Sequence, residues 1–110
     1  MPLDPYIVIW EYSVPPEHAT AFLAAYGPAG TWAKLFRASP AYRGTELYRD
    51  REIADRYVTI DFWMSPADFD RFRQEHAEAY AALDRACESL TVNERRLGGF
   101  GLADPGQGAL

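Results

Sequence analysis

The sequence predicts a small α+β domain with the element order β-α-β-β-α-β and a four-stranded antiparallel sheet. Three observations carry this prediction. The 110 residues suit one domain. Two segments rich in β-branched and aromatic residues are typical of strands, and a long amphipathic segment between strands begins with a helix-capping sequence. We take residues 1–100 as the domain, and residues 101–110, which are rich in glycine and proline, as a loose C-terminal tail.

The first half of the chain predicts one strand and two helices. Residues 6–12 are apolar and aromatic and form the first strand. A Pro-Pro pair ends it, and its second proline begins a helix over residues 16–26, where apolar side chains recur at helical spacing. A Gly-Pro pair breaks this helix, and residues 30–38 predict a short second helical piece.

The second half predicts three strands and the longest helix. Residues 44–50 and 57–64 form two strands joined by a charged connector. Ser65 can cap a helix that starts at the next residue, a proline, and we expect this helix to run unbroken over residues 66–89. Residues 90–100 form the last strand. The order is the ferredoxin-like pattern, with helices on one face of the sheet.

Both faces of the first and third predicted strands carry large apolar side chains. On the first strand one face holds Val8, Trp10 and Tyr12 and the other holds Ile7, Ile9 and Glu11. On the third strand one face holds Val58, Ile60 and Phe62 and the other holds Tyr57, Thr59 and Trp63. A second face in contact with water would alternate with polar residues. Two helices cover only one face, so we expect a second copy of the sheet to cover the other, making a homodimer.

Composition excludes several classes of partner and cofactor. The net charge is −5 and Lys34 is the single lysine, so the sequence has no basic cluster for nucleic acid. It has no apolar run long enough to span a membrane and no signal-peptide pattern, and we expect a cytoplasmic protein. Cys87 is the single cysteine, which excludes an internal disulfide. No nucleotide-binding motif or metal-ligand spacing is present, so we expect no cofactor.

One stretch of sequence resembles a known family. Residues 57–69 read YVTIDFWMSPADF, and His76 follows within the predicted helix. A strand ending in Trp63, a turn capped by Ser65, and a helix with Phe69 and His76 resemble the antibiotic biosynthesis monooxygenase family. The opening IVIWEYSVPPEHATAFL is similar to the first strand and helix of that family, and the resemblance covers residues 6–100.

The resemblance implies a dimeric α/β barrel in which two sheets face each other, with a pocket between sheet and helices in each subunit. Some members oxidise polycyclic aromatic compounds with O2 and without metal or flavin, and others degrade haem. The haem-degrading members use an Asn on the first strand and a Trp/His pair on the last helix. Here those regions hold Trp10, Tyr12, Phe72 and Ala82, which argues against haem oxygenation.

His76 is the candidate catalytic residue. We expect it to face a cavity beneath the sheet near Trp10 and Tyr80, where it would act as a base or donate a hydrogen bond. The alternative is a partly buried histidine whose polar atoms bond to a backbone carbonyl. The candidate substrate-binding residues are Trp10, Tyr12, Trp32, Arg37, Trp63, Phe72 and Tyr80. The alternatives are ordinary core or dimer packing for the rings and a solvated side chain for the arginine.

Three functions remain open at this point. The first is a cofactor-independent monooxygenase acting on a small aromatic or polyketide-like compound. The second is a cyclase or isomerase on the same fold, which needs only acid and base groups. The third is a dimer that binds a small ligand without catalysis. The fold alone does not choose among them.

Overall fold

The computed structural model describes residues 4–103 and confirms the α+β, ferredoxin-like arrangement. The elements are β1 (Tyr6–Ser13), α1 (Ala19–Tyr26), α2 (Thr31–Phe36), β2 (Tyr42–Arg49), β3 (Arg56–Trp63), α3 (Pro66–Glu75), α4 (Ala77–Cys87) and β4 (Asn93–Gly101). Short 3-10 turns precede α1 and β4. The sheet has the strand order β2-β3-β1-β4, and all neighbouring strands are antiparallel. The expected tail falls mostly on residues 104–110, which lie outside the described residues, while Gly101 ends β4.

The helices pack on one face of the sheet, which we call the inner face. On β3 every second residue is buried, and these residues are Tyr57, Thr59, Asp61 and Trp63. The register pairs Trp10 with Thr59 and Val8 with Asp61, so the same face continues onto β1. The best-buried side chains lie between this face and the helices, and they are Val8, Val14, Phe22, Trp63 and Phe72.

The opposite face, which we call the outer face, is formed by Ile7, Ile9, Val58, Ile60 and Phe62. The β1–β3 register pairs Ile7 with Phe62 and Ile9 with Ile60, so these side chains form one continuous apolar stripe. No helix in the described part of the chain covers them, and all are half-buried. At the end of the stripe Glu11 forms ion pairs with Arg56 and, at 3.4 Å, with Arg95.

A β-bulge in β4 changes which of its side chains reach the inner face. The pairing runs from Ile9 opposite Gly98 to Trp10 opposite Arg96, which leaves Leu97 as the extra residue. Gly98 has a φ of 151°, a conformation that side-chain-bearing residues rarely adopt. Without the bulge Leu97 would stand opposite Trp10. With it, Arg96 lies on the inner face.

The long predicted helix is the clearest departure from expectation. Its start is as predicted, because the Ser65 hydroxyl accepts a hydrogen bond from the Asp68 backbone N–H at 3.1 Å. The expectation of one unbroken helix is wrong, since His76 has φ −118° and ψ 29° and separates α3 from α4. No proline or glycine adjoins the break, so the sequence carried no signal for it. Within residues 4–103 no helix is long and apolar enough to cross a membrane; the cytoplasmic location stays a prediction.

Candidate active site

A cavity of about 320 Å³ lies between the inner face of the sheet and the helices. All four strands and all four helices of the described chain contribute to its wall. The lining residues are Trp10, Tyr12, Tyr26, Trp32, Phe36, Thr45, Thr59, Asp61, Arg73, Tyr80, Asp84, Glu94 and Arg96. This volume is at the lower end of what small-molecule sites use, and it suits a compound of a few fused rings or fewer.

Aromatic rings make up most of the apolar wall. The Trp10 and Tyr12 rings are nearly parallel with centroids 6.3 Å apart, and the Tyr80 ring meets Trp32 edge-on at 4.9 Å. Such rings offer flat faces and edges to a planar ligand. The wall therefore favours an aromatic compound over a long flexible one.

Asp61 places a carboxyl group in this apolar setting. It projects from β3 and has only 9% of its surface exposed. The Thr45 hydroxyl donates a hydrogen bond to Asp61 Oδ1 at 2.7 Å. The Tyr42 hydroxyl lies 2.5 Å from the Thr45 oxygen, and since the Thr45 proton points to Asp61, Tyr42 is the donor in that contact. Among the described residues, Asp61 Oδ2 has no hydrogen-bond partner.

Burial changes the proton affinity of Asp61. Removal from water raises the pKa of its carboxyl group from the ordinary 3.8 to about 6, and the hydrogen bond from Thr45 offsets part of this effect. At neutral pH the group is still mainly ionised. It is then a poorly solvated carboxylate that binds a proton more strongly than a surface aspartate does.

A second polar pair lies on the same wall. The Tyr12 hydroxyl and the Thr59 hydroxyl are 3.1 Å apart. Burial raises the pKa of Tyr12 well above its usual range, so its phenol stays protonated and remains a hydrogen-bond donor. Within the part of the chain that the structure describes, no three His, Cys, Asp or Glu side chains come together as a metal site would require.

Charged side chains surround the mouth of the cavity. Arg73, Asp84, Glu94 and Arg96 are exposed, whereas the aromatic and hydroxyl groups behind them are mostly buried. The Arg73 guanidinium lies over the Tyr80 ring, 4.1 Å from its centroid. Arg96 donates a hydrogen bond to the Tyr6 hydroxyl at 3.0 Å. Gly99 leaves room for this tyrosine, since a Cβ there would overlap the phenol.

The structure brings together four of the seven candidate substrate-binding residues. Trp10, Tyr12, Trp32 and Tyr80 line the cavity, and their binding of a ligand stays a prediction. The structure places the other three elsewhere. Trp63 and Phe72 are each 1% exposed and pack in the core against the lining residue Phe36, without lining the cavity themselves. Arg37 is exposed and donates to the Pro28 carbonyl at 3.0 Å.

His76 does not lie where the sequence predicted. It is absent from the cavity wall, and its half-buried ring stacks on Phe72 with centroids 4.9 Å apart. It lines only a shallow surface groove formed by its own neighbours in α3 and α4. The expectation that it faces the cavity near Trp10 is wrong because the helix breaks at this residue, so the apolar stripe does not continue through it.

Sequence reasoning missed the polar residues of the cavity. Asp61 and Thr59 share the strand parity of Tyr57 and Trp63, which the sequence had already assigned to one face. An acidic residue in the middle of that buried series was the available signal. Glu94 and Arg96 carried no such signal, because the bulge in β4 breaks the two-residue alternation.

Comparison with known proteins agrees with this architecture. The family model described as antibiotic biosynthesis monooxygenase matches residues 5–83. SnoaB, a cofactor-independent oxygenase from Streptomyces nogalater, superimposes with a TM-score of 0.70 at 19% identity, over 92% of this chain and 95% of that chain. No curated protein matches the sequence.

Two further solved structures share the fold. A candidate antibiotic biosynthesis monooxygenase from Nitrosomonas europaea has a TM-score of 0.68 at 15% identity, over 96% of both chains. PA3566 from Pseudomonas aeruginosa has a TM-score of 0.59 at 22% identity, over 90% of this chain and 92% of that chain. At these identities the likeness establishes the fold alone.

Proposed function

The chain belongs to the antibiotic biosynthesis monooxygenase family, and on that premise we propose that it oxygenates a small hydroxylated aromatic compound with O2 and without a cofactor. One observation carries the proposal. The cavity of about 320 Å³ combines aromatic walls with a buried carboxyl group. The similarity to SnoaB, a cofactor-independent oxygenase, supports the same class of reaction.

The proposed reaction needs no external reductant. A base in the cavity removes the hydroxyl proton of the substrate, and the resulting anion delocalises charge onto a ring carbon that still carries a hydrogen. This carbon gives one electron to O2, and the substrate radical and superoxide combine through a new C–O bond into a substrate peroxide anion, which takes the proton back and becomes a hydroperoxide. Loss of water then leaves a second carbonyl, so a phenol and O2 give a quinone and water. The O–H and C–H bonds of the substrate supply the four electrons.

The cavity wall supports this chemistry in two ways. Trp10, Trp32 and Tyr80 offer ring surfaces for stacking and exclude water from a bound ring. The Tyr12 and Thr59 hydroxyls share one proton in the hydrogen bond between them, which leaves the other proton for an oxygen that becomes negatively charged. Both effects favour formation of the substrate anion.

The same proposal includes a homodimer joined through the outer face. Ile7, Ile9, Ile60 and Phe62 are apolar, contiguous in register and uncovered by any helix among residues 4–103. An antiparallel sheet that meets water on one face normally carries polar residues there. A second copy of the same stripe is complementary to it, as a two-fold symmetric interface requires.

Oxygen consumption tests the proposed reaction. The purified, chelator-treated protein is mixed with one- to three-ring phenols and naphthols in an oxygen electrode, and the product is analysed after reaction under isotopically labelled O2. We expect oxygen uptake with at least one compound and one labelled atom in a quinone product. His76→Ala is the matched variant, and we expect it to retain uptake because His76 lies outside the cavity.

Other outcomes separate the alternatives. Conversion of a substrate without oxygen uptake would replace the oxygenase with a cyclase or isomerase. Binding without any conversion across the panel would leave a small-ligand-binding dimer. Loss of uptake in His76→Ala, with the fold intact, would return the catalytic role to that histidine.

A further inference from the structure

Resting on the proposed function, we propose that Asp61 is the proton acceptor for the substrate hydroxyl and that Thr45 is a positioning residue that orients this carboxylate. The substrate class that follows is an aromatic compound with an acidic hydroxyl group that fits within the cavity. Asp61 is the carboxyl group that is buried within the cavity, whereas Asp84 and Glu94 are exposed at its mouth.

The two carboxylate oxygens of Asp61 have different surroundings. Oδ1 accepts the Thr45 hydroxyl at 2.7 Å, and Thr45 in turn accepts the Tyr42 hydroxyl. This chain fixes the plane of the carboxylate. Oδ2 has no hydrogen-bond partner among the described residues, and the Asp61 side chain lines the cavity. The remaining lone pairs of Oδ2 are therefore free for a ligand in the cavity.

The proton transfer balances within the site. The substrate O–H bond breaks, its electron pair stays on the substrate oxygen, and the proton forms a new O–H bond with Asp61 Oδ2. The neutral acid later returns this proton to the substrate peroxide anion, which becomes the hydroperoxide and restores the carboxylate. Burial favours the first step, because it raises the pKa of the Asp61 carboxyl group and so strengthens it as a proton acceptor. The return of the proton is favoured instead by the peroxide anion, which is a stronger base than the carboxylate.

Other titratable groups face the same cavity and enter the design of a test. They are Tyr12 on β1, Tyr26 on α1, Arg73 on α3, Tyr80 and Asp84 on α4, and Glu94 and Arg96 on β4; α2 contributes only Trp32 and Phe36. Tyr42 on β2 is not part of the lining but is hydrogen-bonded to Thr45. Burial keeps the tyrosines protonated near neutral pH. Partial desolvation, with the carboxylates of Asp84 and Glu88, also raises the pKa of Glu94, so that residue needs a control.

Ligand binding tests the assignment without requiring turnover. The probes are β-naphthol, which stays neutral across the range of about pH 4.5 to 8, and its methyl ether, which has no proton to donate. We expect β-naphthol to bind roughly tenfold more tightly above the pKa of Asp61 than below it, because a carboxylate accepts a stronger hydrogen bond than a carboxylic acid does. We call this change in affinity with pH the affinity step, and we expect no affinity step for the methyl ether.

Variants test whether the change in β-naphthol affinity with pH arises from Asp61. Asp61→Asn should abolish the step for β-naphthol while the methyl ether still binds, which shows that the cavity remains folded. Thr45→Val should move the midpoint to higher pH, because it removes the hydrogen bond that lowers the pKa of Asp61, and Thr45→Ser should restore it. Glu94→Gln should keep the step and its midpoint near pH 6.

Several results would overturn the assignment. These are an equal pH response for both probes, a step that survives in Asp61→Asn, a step lost in Glu94→Gln, or no binding of either probe. The two proposals also fail separately. Oxygen uptake that persists in Asp61→Asn would refute the base and keep the oxygenase. If the change in β-naphthol affinity with pH depends on Asp61 but no compound causes oxygen uptake, the oxygenase is refuted and the role of Asp61 as proton acceptor is kept.

Discussion

The two faces of the sheet are built from alternate residues of the same strands, yet they differ in chemistry. On β3 the inner face carries Thr59 and Asp61 among aromatic rings, while the outer face carries Val58, Ile60 and Phe62. The inner face can hold polar groups because helices shield them and neighbouring hydroxyls bond to them. On the outer face, the paired residues Ile7 and Phe62, and Ile9 and Ile60, are all apolar, which suits contact with another apolar surface. In the proposed account, alternation along each strand assigns ligand binding to the inner face and dimer contact to the outer face.

The largest effect is expected from a charge on the outer face. Ile60→Asp should convert a dimer of twice the mass of the 110-residue chain into a monomer or an aggregate, because an unpaired buried charge costs several kcal/mol. Light scattering at micromolar concentration measures this. Leu23→Asp is the control, since Leu23 is already 46% exposed on α1 and the variant should remain dimeric. A wild-type chain that is monomeric at that concentration would remove the argument for the dimer.

The next effect concerns the stability of the inner face. The folded-state pKa of Asp61 is about 6, above its ordinary 3.8, so folding favours the protonated carboxyl group. The protonated Asp61 carboxyl group makes its full contribution to the free energy of unfolding below the ordinary pKa, and this contribution is lost as pH rises through about 6. Asp61→Asn should therefore be more stable than the parent above this pH, by up to about 3 kcal/mol, and the difference should vanish in acid.

Thermal unfolding across pH measures this difference. The Tm of Asp61→Asn should exceed that of the parent at pH 8 and converge with it toward about pH 4. A Tm difference that does not change with pH would show that Asp61 is not desolvated in the folded protein. Combined with loss of the β-naphthol step, higher stability of this variant would show that the buried carboxylate is kept for function at the expense of stability.

The smallest effect is expected at the bulge in β4. Gly98→Ala should cost about 1–2 kcal/mol, because the φ of 151° disfavours a side chain and the added Cβ would lie 3.2 Å from the Phe100 ring. Gly101→Ala on the same strand is the matched control, with only the Pro5 carbonyl oxygen near its Cβ, at 3.8 Å. Chemical denaturation compares the two variants. Equal stability would show that the bulge does not depend on this glycine.

The sequence predicted the features that depend on local periodicity. The element order, the cap at Ser65 and the apolar outer face each follow from spacing that repeats along one segment. These features need no knowledge of what packs against them. Four cavity residues, including Trp10 and Tyr80, were also predicted, because large rings in strands and helices of a small domain must meet near its centre.

The features that escaped prediction depend on interruptions of that periodicity. The break at His76 moved the predicted catalytic residue out of the cavity, and the bulge at Leu97 brought Arg96 into its wall. Neither has a strong local signature, although Gly98 beside the bulge was visible in the sequence. Asp61 was missed for another reason. Its burial depends on hydroxyl partners on a neighbouring strand, and such partners are known only once the strands are in register.

The most direct test of the division between the faces is a crystal structure with β-naphthol bound near neutral pH. The account predicts the naphthol ring among Trp10, Trp32 and Tyr80, its hydroxyl within hydrogen-bond distance of the Asp61 carboxylate, and the outer faces of two chains packed together. Naphthol bound between two outer faces would contradict the account. So would naphthol in the cavity with its hydroxyl turned away from Asp61.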